Sequence, residues 1–127
     1  MALILVVDDS PMIQKVAKAL LTKKGHDVRV TALVKSALTR IGGEPPDLII
    51  MDLNLPDMRG DDAIEMIRNQ MKVEVPIIVL SGEIKSEVML RLKPLGISAF
   101  VTKSDEFVFR LSEEVDKALT EQLSKDI

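Results

Sequence analysis

The stretch Leu3-Ile4-Leu5-Val6-Val7-Asp8-Asp9 places an unbroken apolar run directly before two aspartates. A run of this length without alternating polar residues is typical of a strand that is buried on both faces of a sheet. Three later stretches have the same form, a short and mainly apolar run before a polar side chain: Leu48-Ile49-Ile50-Met51 before Asp52, Ile77-Ile78-Val79-Leu80 before Ser81, and Phe100-Val101-Thr102 before Lys103. The strands of a parallel sheet with both faces covered have near-continuous apolar sequences of this kind.

Helical patterns separate these runs. The first helix is predicted to begin near Pro11, with Asp9 or Ser10 as its cap, and to end at Gly25. The remaining elements alternate in the same way: a strand at 27–31, a helix at about 34–41, a strand at 48–51, a helix at about 61–70, a strand opened by Pro76, a helix at about 86–92, a strand at 99–102, and a helix from 105 to about 123. This alternation predicts one α/β domain over residues 1–127, with a parallel sheet and helices on both faces.

The composition is that of a folded domain without disulfides. The chain has 127 residues, 46% of them hydrophobic, and no cysteine, so it can bury a core but has no thiol chemistry. The apolar run at its start stops at Asp8 and is too short for a signal peptide or a membrane span. We therefore expect a cytoplasmic protein with no membrane partner. A net charge of −3 and only three aromatic residues, all phenylalanine, give no reason to expect a direct nucleic-acid partner.

Polar residues that follow the strands of an open parallel sheet meet at one edge. Asp8, Asp9, Asp52, Ser81 and Lys103 are therefore predicted to form one site, although each alone also fits an ordinary cap, loop or solvated side chain. Three adjacent carboxylates need a proton or a cation between them, and oxygen ligands favour Mg²⁺. A hydroxyl and an ammonium can bind a phosphoryl group, and a carboxylate nucleophile gives an aspartyl phosphate.

These residues lie in stretches that resemble a response-regulator receiver domain of the stand-alone chemotaxis type, over essentially the whole chain. The matching stretches are 4–10, 47–56 with Gly60, 75–82 and 96–103. The resemblance implies a flavodoxin-like fold with a five-stranded parallel sheet in the order 2-1-3-4-5. It also implies that Asp52 is the phosphoacceptor and that Mg²⁺ is bound by Asp52, directly by Asp9, through water by Asp8, and by the backbone carbonyl of Asn54. Ser81 and Lys103 would each bind a phosphoryl oxygen. Ser81 and Phe100 would be the two switch residues.

The same resemblance implies a phosphorylation-controlled signalling switch rather than an enzyme with an external substrate. A histidine kinase or a histidine phosphotransfer domain would donate the phosphoryl group to Asp52. The surface of the fourth helix, fifth strand and fifth helix, with Phe109 as a possible exposed contact, would then bind an unidentified protein. In the family, the side chains two positions after the phosphoacceptor and after the hydroxyl residue tune hydrolysis. Here they are Asn54 and Glu83, both small enough to admit water, which implies a short-lived phosphoaspartate.

Four positions depart from the family pattern or stand outside it. Ser104 follows the lysine where the family usually has proline, so the path after Lys103 is left open. Pro94 predicts that the fourth helix is short, because proline removes a backbone donor and disfavours helix at the preceding residue. His26 is expected to be a surface histidine. Phe109 is expected on the side of the fifth helix that faces away from its core positions.

Three other functions fit parts of the sequence. A phosphatase like the haloacid dehalogenases would need a second acid two residues after the nucleophile, and position 54 is asparagine. A dinucleotide-binding fold would need a glycine-rich loop after the first strand, and that loop is absent from the sequence. A degenerate receiver that acts as a phosphorylation-independent interaction module remains open, although the full set of site residues argues against it.

Overall fold

The computed structural model describes residues 1–126, with the side chains of residues 1–123. Five parallel strands form one sheet in the order β2-β1-β3-β4-β5, as predicted. The strands are β1 (Leu3–Val7), β2 (Asp27–Thr31), β3 (Leu48–Met51), β4 (Ile77–Ser81) and β5 (Ile97–Thr102). The helices are α1 (Pro11–Lys23), α2 (Val34–Gly43), α3 (Gly60–Glu65), α4 (Ser86–Leu92) and α5 (Phe107–Asp126).

Two apolar layers cover the sheet. Successive side chains of a strand point to opposite faces, so Ile4 and Val6 pack with α1 and α5, while Leu5 and Val7 pack with α2 and α3. All residues of β3 and β4 are buried, which accounts for their unbroken apolar sequences. The functional side chains therefore stand at the ends of strands that are fixed on both faces.

The start of α1 is set by Ser10 rather than by Asp9. Ser10 Oγ accepts a hydrogen bond of 3.3 Å from the backbone N–H of Ile13, and Pro11 occupies the first helical position. Asp8 Oδ1 in turn accepts a 2.9 Å hydrogen bond from the backbone N–H of Ser10. The cap thus orders the turn that carries both aspartates.

Gly60 allows α3 to begin directly against the phosphoacceptor candidate. A Cβ atom at this position would lie 1.9 Å from the backbone carbonyl oxygen of Asp52, so any side chain would force the loop apart. The Gly60 N–H donates to the Leu53 carbonyl at 2.9 Å and closes the loop. The helix then continues as a π-helical turn over Met66–Gln70.

The region from α4 to α5 differs slightly from the predicted boundaries. α4 is short as expected, because Pro94 lies in a 3-10 turn (Lys93–Leu95) that ends at Gly96 with a φ of +77°. β5 begins at Ile97, two residues earlier than predicted, since an irregularity in its pairing with β4 accommodates one extra residue. The peptide bonds after Lys103 are all trans within the described residues. A turn follows Lys103, in which the Phe107 N–H donates to the Ser104 carbonyl, and α5 therefore begins at Phe107 instead of 105.

Two single-residue expectations need correction. His26 is half-buried, and its Nδ1 accepts a 3.1 Å hydrogen bond from the backbone N–H of Ala2, so it is not a free surface histidine. Phe109 is 70% exposed, as expected, but it lines a groove with Leu20 and Ser112. It therefore lies on the side of α5 that faces α1.

Within residues 1–126, no helix has the length and apolar character that crossing a membrane requires.

Candidate functional site

Ladder hydrogen bonds hold the polar strand ends level with one another. The backbone N–H of Asp52 donates to the Val7 carbonyl at 2.9 Å, and that of Lys103 donates to the Ser81 carbonyl at 2.9 Å. The ends of β1, β3, β4 and β5 consequently meet at one edge of the sheet, where Asp8, Asp52, Ser81 and Lys103 lie together.

The carboxylate of Asp52 is buried and accepts hydrogen bonds at both oxygens. Its Oδ1 accepts from Ser81 Oγ at 2.8 Å, from the Leu53 N–H at 2.7 Å and from the Asn54 N–H at 3.3 Å. Its Oδ2 accepts from Lys103 Nζ at 2.9 Å. The donors on both oxygens compensate for the burial of a carboxylate that is only 4% exposed.

Lys103 is shared between two carboxylates. Its Nζ lies 2.8 Å from Asp8 Oδ2 and 2.9 Å from Asp52 Oδ2. Burial lowers the pKa of Lys103, but the hydrogen bonds and charges of Asp8 and Asp52 outweigh burial and raise that pKa above its ordinary value. The side chain is therefore an ammonium ion at neutral pH.

Asp8 retains unused ligand capacity. Burial raises the pKa of its carboxyl group, although Lys103 and the Ser10 N–H act in the opposite direction. Its Oδ2 lies 2.8 Å from Lys103 Nζ, and no other described group is a hydrogen-bond partner of this oxygen. A buried carboxylate oxygen whose one neighbour is an ammonium ion is a natural ligand for a cation or for a water bound to one.

Asp8, Asp9 and Asp52 together can hold a metal ion. Each offers one carboxylate oxygen, and these oxygens lie within 4.8 Å of one another. Asp8 and Asp52 are buried and Asp9 is exposed, so an ion here would keep contact with solvent. Mg²⁺ fits this arrangement, because it prefers oxygen ligands and retains several waters. The backbone of Asn54 lies against the same carboxylate through its N–H, 3.3 Å from Asp52 Oδ1.

The other predicted residues lie around this centre. Asn54 and Glu83 line one groove with Leu53, from the loops that follow β3 and β4. Phe100, on β5, pairs in register with Val79 of β4, and two residues later Thr102 pairs with Ser81. It is half-buried against the core under α2, α3 and α4. No described hydrogen bond or ion pair connects Phe100 or Glu83 to the three aspartates.

A cluster of charges beside this groove was not foreseen from the sequence. Asp61, only 3% exposed, accepts from Arg59 Nε at 3.0 Å and from Arg91 Nη1 at 2.6 Å. Arg91 reaches from α4 and also bonds Asp62 and Glu65 of α3. Two acids in the first turn of a helix normally indicate an exposed, dipole-stabilised start. The one available signal was the spacing of Asp61 with Ile64, which puts it on the buried face.

A second arginine joins the same two regions at their other end. Arg68, in the π-helical turn after α3, donates to the backbone carbonyls of Leu95, Val73 and Gly96 at 2.7, 2.8 and 3.2 Å. Burial lowers the pKa of its guanidinium group, and the charge of Glu74 acts in the opposite direction. Arg68 and Arg91 therefore connect α3 to both ends of the α4 region.

Comparison with known proteins identifies this arrangement. The model of the response regulator receiver domain matches residues 4–109. The transcriptional regulatory protein KdpE of Mycobacterium tuberculosis is 36% identical over 118 residues, which make up 91% of this chain and 51% of that protein. The cell cycle transcriptional regulator CtrA of Caulobacter vibrioides is 31% identical over 121 residues, or 93% of this chain and 52% of that protein. This chain thus spans about half the length of the curated relatives it matches.

Solved structures agree with the sequence relatives. A CheY-like receiver domain protein from Methanospirillum hungatei superposes with a TM-score of 0.90 at 26% identity, and the match covers 98% of each chain. A chemotaxis protein of Vibrio cholerae superposes with a TM-score of 0.84 at 28% identity, over 94% of this chain and 99% of that one. Since the family model also covers most of the sequence, this chain belongs to the response regulator receiver domain family of two-component signalling.

Proposed function

We propose that this domain accepts a phosphoryl group on Asp52 from a histidine kinase or a histidine phosphotransfer domain, in the cytoplasm and in a Mg²⁺-dependent reaction. The observation that supports this most strongly is the setting of the Asp52 carboxylate. It is buried, it is bound by Ser81 and Lys103, and the carboxylates of Asp8 and Asp9 lie within metal-binding distance.

The proposed chemistry is a simple displacement. A carboxylate oxygen of Asp52 attacks the phosphorus atom as the bond from phosphorus to the donor's histidine nitrogen breaks, and the imidazole leaves with the electron pair. The protein catalyses its own modification and has no separate substrate that it releases as product. Its contribution is to position the nucleophile and to neutralise charge on the transferred oxygens.

The residues around Asp52 have complementary roles in this step. Asp8, Asp9, Asp52 and the Asn54 backbone carbonyl would hold Mg²⁺, which neutralises phosphoryl charge when bound. The Lys103 ammonium ion, released from the free carboxylate, binds one phosphoryl oxygen. The Ser81 hydroxyl donates to another, since it already donates to Asp52.

The output follows from the movement of Ser81. A phosphoryl group adds about two negative charges and three strong acceptors. Ser81 then follows the new acceptor, the loop between β4 and α4 moves with it, and Phe100 turns into the vacated space. The surface formed by α4, β5 and α5 changes and binds a downstream protein, while the receiver itself makes no contact with nucleic acid.

Phosphorylation by a small donor tests this proposal. The purified protein is incubated with acetyl phosphate and Mg²⁺, and its intact mass is measured. We expect a gain of one phosphoryl group that is lost in Asp52→Asn and kept in Asp116→Asn, a matched change on an exposed face of α5. Asp9→Ala should require much more Mg²⁺ for the same labelling. Labelling that persists in Asp52→Asn, or after removal of the metal by a chelator, would contradict the proposal. A wild-type protein that takes no phosphoryl group would instead indicate the phosphorylation-independent module.

A further inference from the structure

We infer that Arg59 is a positioning residue that lengthens the lifetime of phosphorylated Asp52 by occupying the side-chain oxygen of Asn54. This inference rests on the proposed function, because it concerns hydrolysis of the same phosphoaspartate. The contact that carries it is a 2.9 Å hydrogen bond from Arg59 Nη1 to Asn54 Oδ1.

The backbone holds these two residues opposite each other. Asn54 and Arg59 form an isolated antiparallel bridge that closes the loop between β3 and α3. Gly60, which follows Arg59, is packed against the Asp52 carbonyl. The pair is therefore fixed to the segment that carries the phosphoacceptor.

A buried carboxylate fixes the guanidinium group of Arg59 as well. Arg59 Nε donates to Asp61 Oδ1 at 3.0 Å, and the other oxygen of Asp61 accepts from Arg91 at 2.6 Å. Asp61 is buried, and each of its two oxygens accepts a charge-assisted hydrogen bond from an arginine. Although the Arg59 side chain is half exposed, it is thus bound at two points and is not a freely moving surface group.

The chemistry of the two side chains settles which end of the amide faces the arginine. A guanidinium group has only donors, so the amide group of Asn54 must present its oxygen to Arg59. Arg59 then takes one of the two lone pairs of the Asn54 oxygen and covers that side of it, and the NH₂ group is the end of the amide that does not face the guanidinium group. Asn54 lines its groove together with Glu83.

This orientation is the less effective one for hydrolysis. In that reaction a water oxygen attacks phosphorus, the bond from phosphorus to the Asp52 oxygen breaks, and the carboxylate and inorganic phosphate are formed as the water gives up a proton to solvent. An acceptor that binds a proton of the water directs the attacking lone pair toward phosphorus. An NH₂ group instead binds that lone pair. Arg59 thereby offsets the rapid hydrolysis that the small polar side chains alone would imply.

The test measures the decay of the phosphorylated protein at saturating Mg²⁺. Arg59→Met frees the Asn54 oxygen and should accelerate decay by about threefold to tenfold, the range expected for one hydrogen bond in the transition state. Lys85→Met is the matched control, since Lys85 lines the same groove and its loss removes the same charge without touching Asn54. We expect the control to decay at the wild-type rate.

Two further variants separate positioning from a structural effect. In an Asn54→Ala background, Arg59→Met should have no additional effect on decay, because the group that Arg59 orients is gone. Asn54→Asp keeps one oxygen for Arg59 and adds a second acceptor, so it should also shorten the lifetime while Arg59 stays in place. Thermal unfolding of each variant verifies that it is folded.

Several outcomes overturn the inference. These are decay of Arg59→Met at the wild-type rate, equal acceleration by Lys85→Met, the same acceleration by Arg59→Met in the Asn54→Ala background, or an unchanged lifetime in Asn54→Asp. If Arg59→Met is phosphorylated normally but decays at the wild-type rate, the inference fails and the proposed function still holds. A wild-type protein that cannot be labelled overturns both.

Discussion

Ser81 Oγ lies 2.8 Å from Asp52 Oδ1 and donates a hydrogen bond to it, which joins the end of β4 to the end of β3. Both groups are buried, so this bond is shielded from competing water. A modification of the Asp52 carboxylate must therefore change what Ser81 binds. The first effect of phosphorylation outside the carboxylate is expected at the loop that leads from Ser81 to α4.

Substitution of Ser81 should separate modification from output. With beryllofluoride as a phosphoryl mimic, we expect chemical shift changes in the wild-type protein at Asp52, in the loop after β4, in α4 and in β5. In Ser81→Ala the changes should be confined to the neighbourhood of Asp52, because the variant lacks the hydroxyl that would bind the phosphoryl mimic and move the loop after β4. Wild-type spectra in which α4 and β5 do not respond would contradict this path to the partner surface.

Lys103 should be essential for the stability of the metal-free site. Lys103→Met leaves the buried carboxylates of Asp8 and Asp52 without their shared cation, so we expect the free energy of unfolding to fall by about 2–4 kcal/mol. Mg²⁺ should restore part of the loss, because a bound cation replaces the missing charge. Urea unfolding with and without Mg²⁺ measures both effects. Substitution of the exposed Lys93 by methionine is the control. If Lys103→Met were as stable as the wild type without Mg²⁺, Lys103 would not stabilise the buried carboxylates.

Arg91 should contribute to stability through α3. Arg91→Ala removes one of the two arginines that neutralise buried Asp61 and frees α4 from Asp62 and Glu65. We expect a loss of about 1–3 kcal/mol in urea unfolding, since Arg59 still pairs with Asp61. The comparison is Arg110→Ala, whose guanidinium group lies 3.8 Å from Glu114 on the same helix and should contribute little. Equal losses in the two variants would mean that the contacts of Arg91 stabilise the fold no more than those of an exposed arginine.

His26 predicts a small loss of stability in mild acid. Burial, and then the positive N-terminus, lower the pKa of His26 below its usual 6.5, and protonation removes the acceptor of the Ala2 N–H. The unfolded chain then binds the proton more readily than the folded protein. The contribution of His26 to the free energy of unfolding is therefore fully present above about pH 6.5 and decreases as the pH falls below that value. In His26→Gln, which retains an acceptor, this decrease should be smaller between pH 7.5 and 5. Identical pH dependence of urea unfolding in the two proteins would contradict the role of His26.

The site could be inferred from the sequence because its residues each follow a strand. Asp8, Asp52, Ser81 and Lys103 are set by strand ends, and a parallel sheet necessarily brings those ends to one edge. No comparable rule predicts from the sequence that Asp61, Arg59 and Arg91 lie together. The burial of Asp61 depends on how α4 packs on α3, about thirty residues away in the chain, and propensity does not encode that packing. The direction of Phe109 likewise depends on α1, which lies beside α5 only in the folded molecule.

The central claim is that Asp52 carries the phosphoryl group, and locating that group tests it most directly. After reaction with acetyl phosphate and Mg²⁺, borohydride reduces the acyl phosphate to homoserine, and tandem mass spectrometry of the peptides locates the changed residue. The account predicts homoserine at position 52 alone, in an amount that matches the phosphoryl group gained by the intact protein. Homoserine at another aspartate, or none in a protein whose mass shows full labelling, would contradict it.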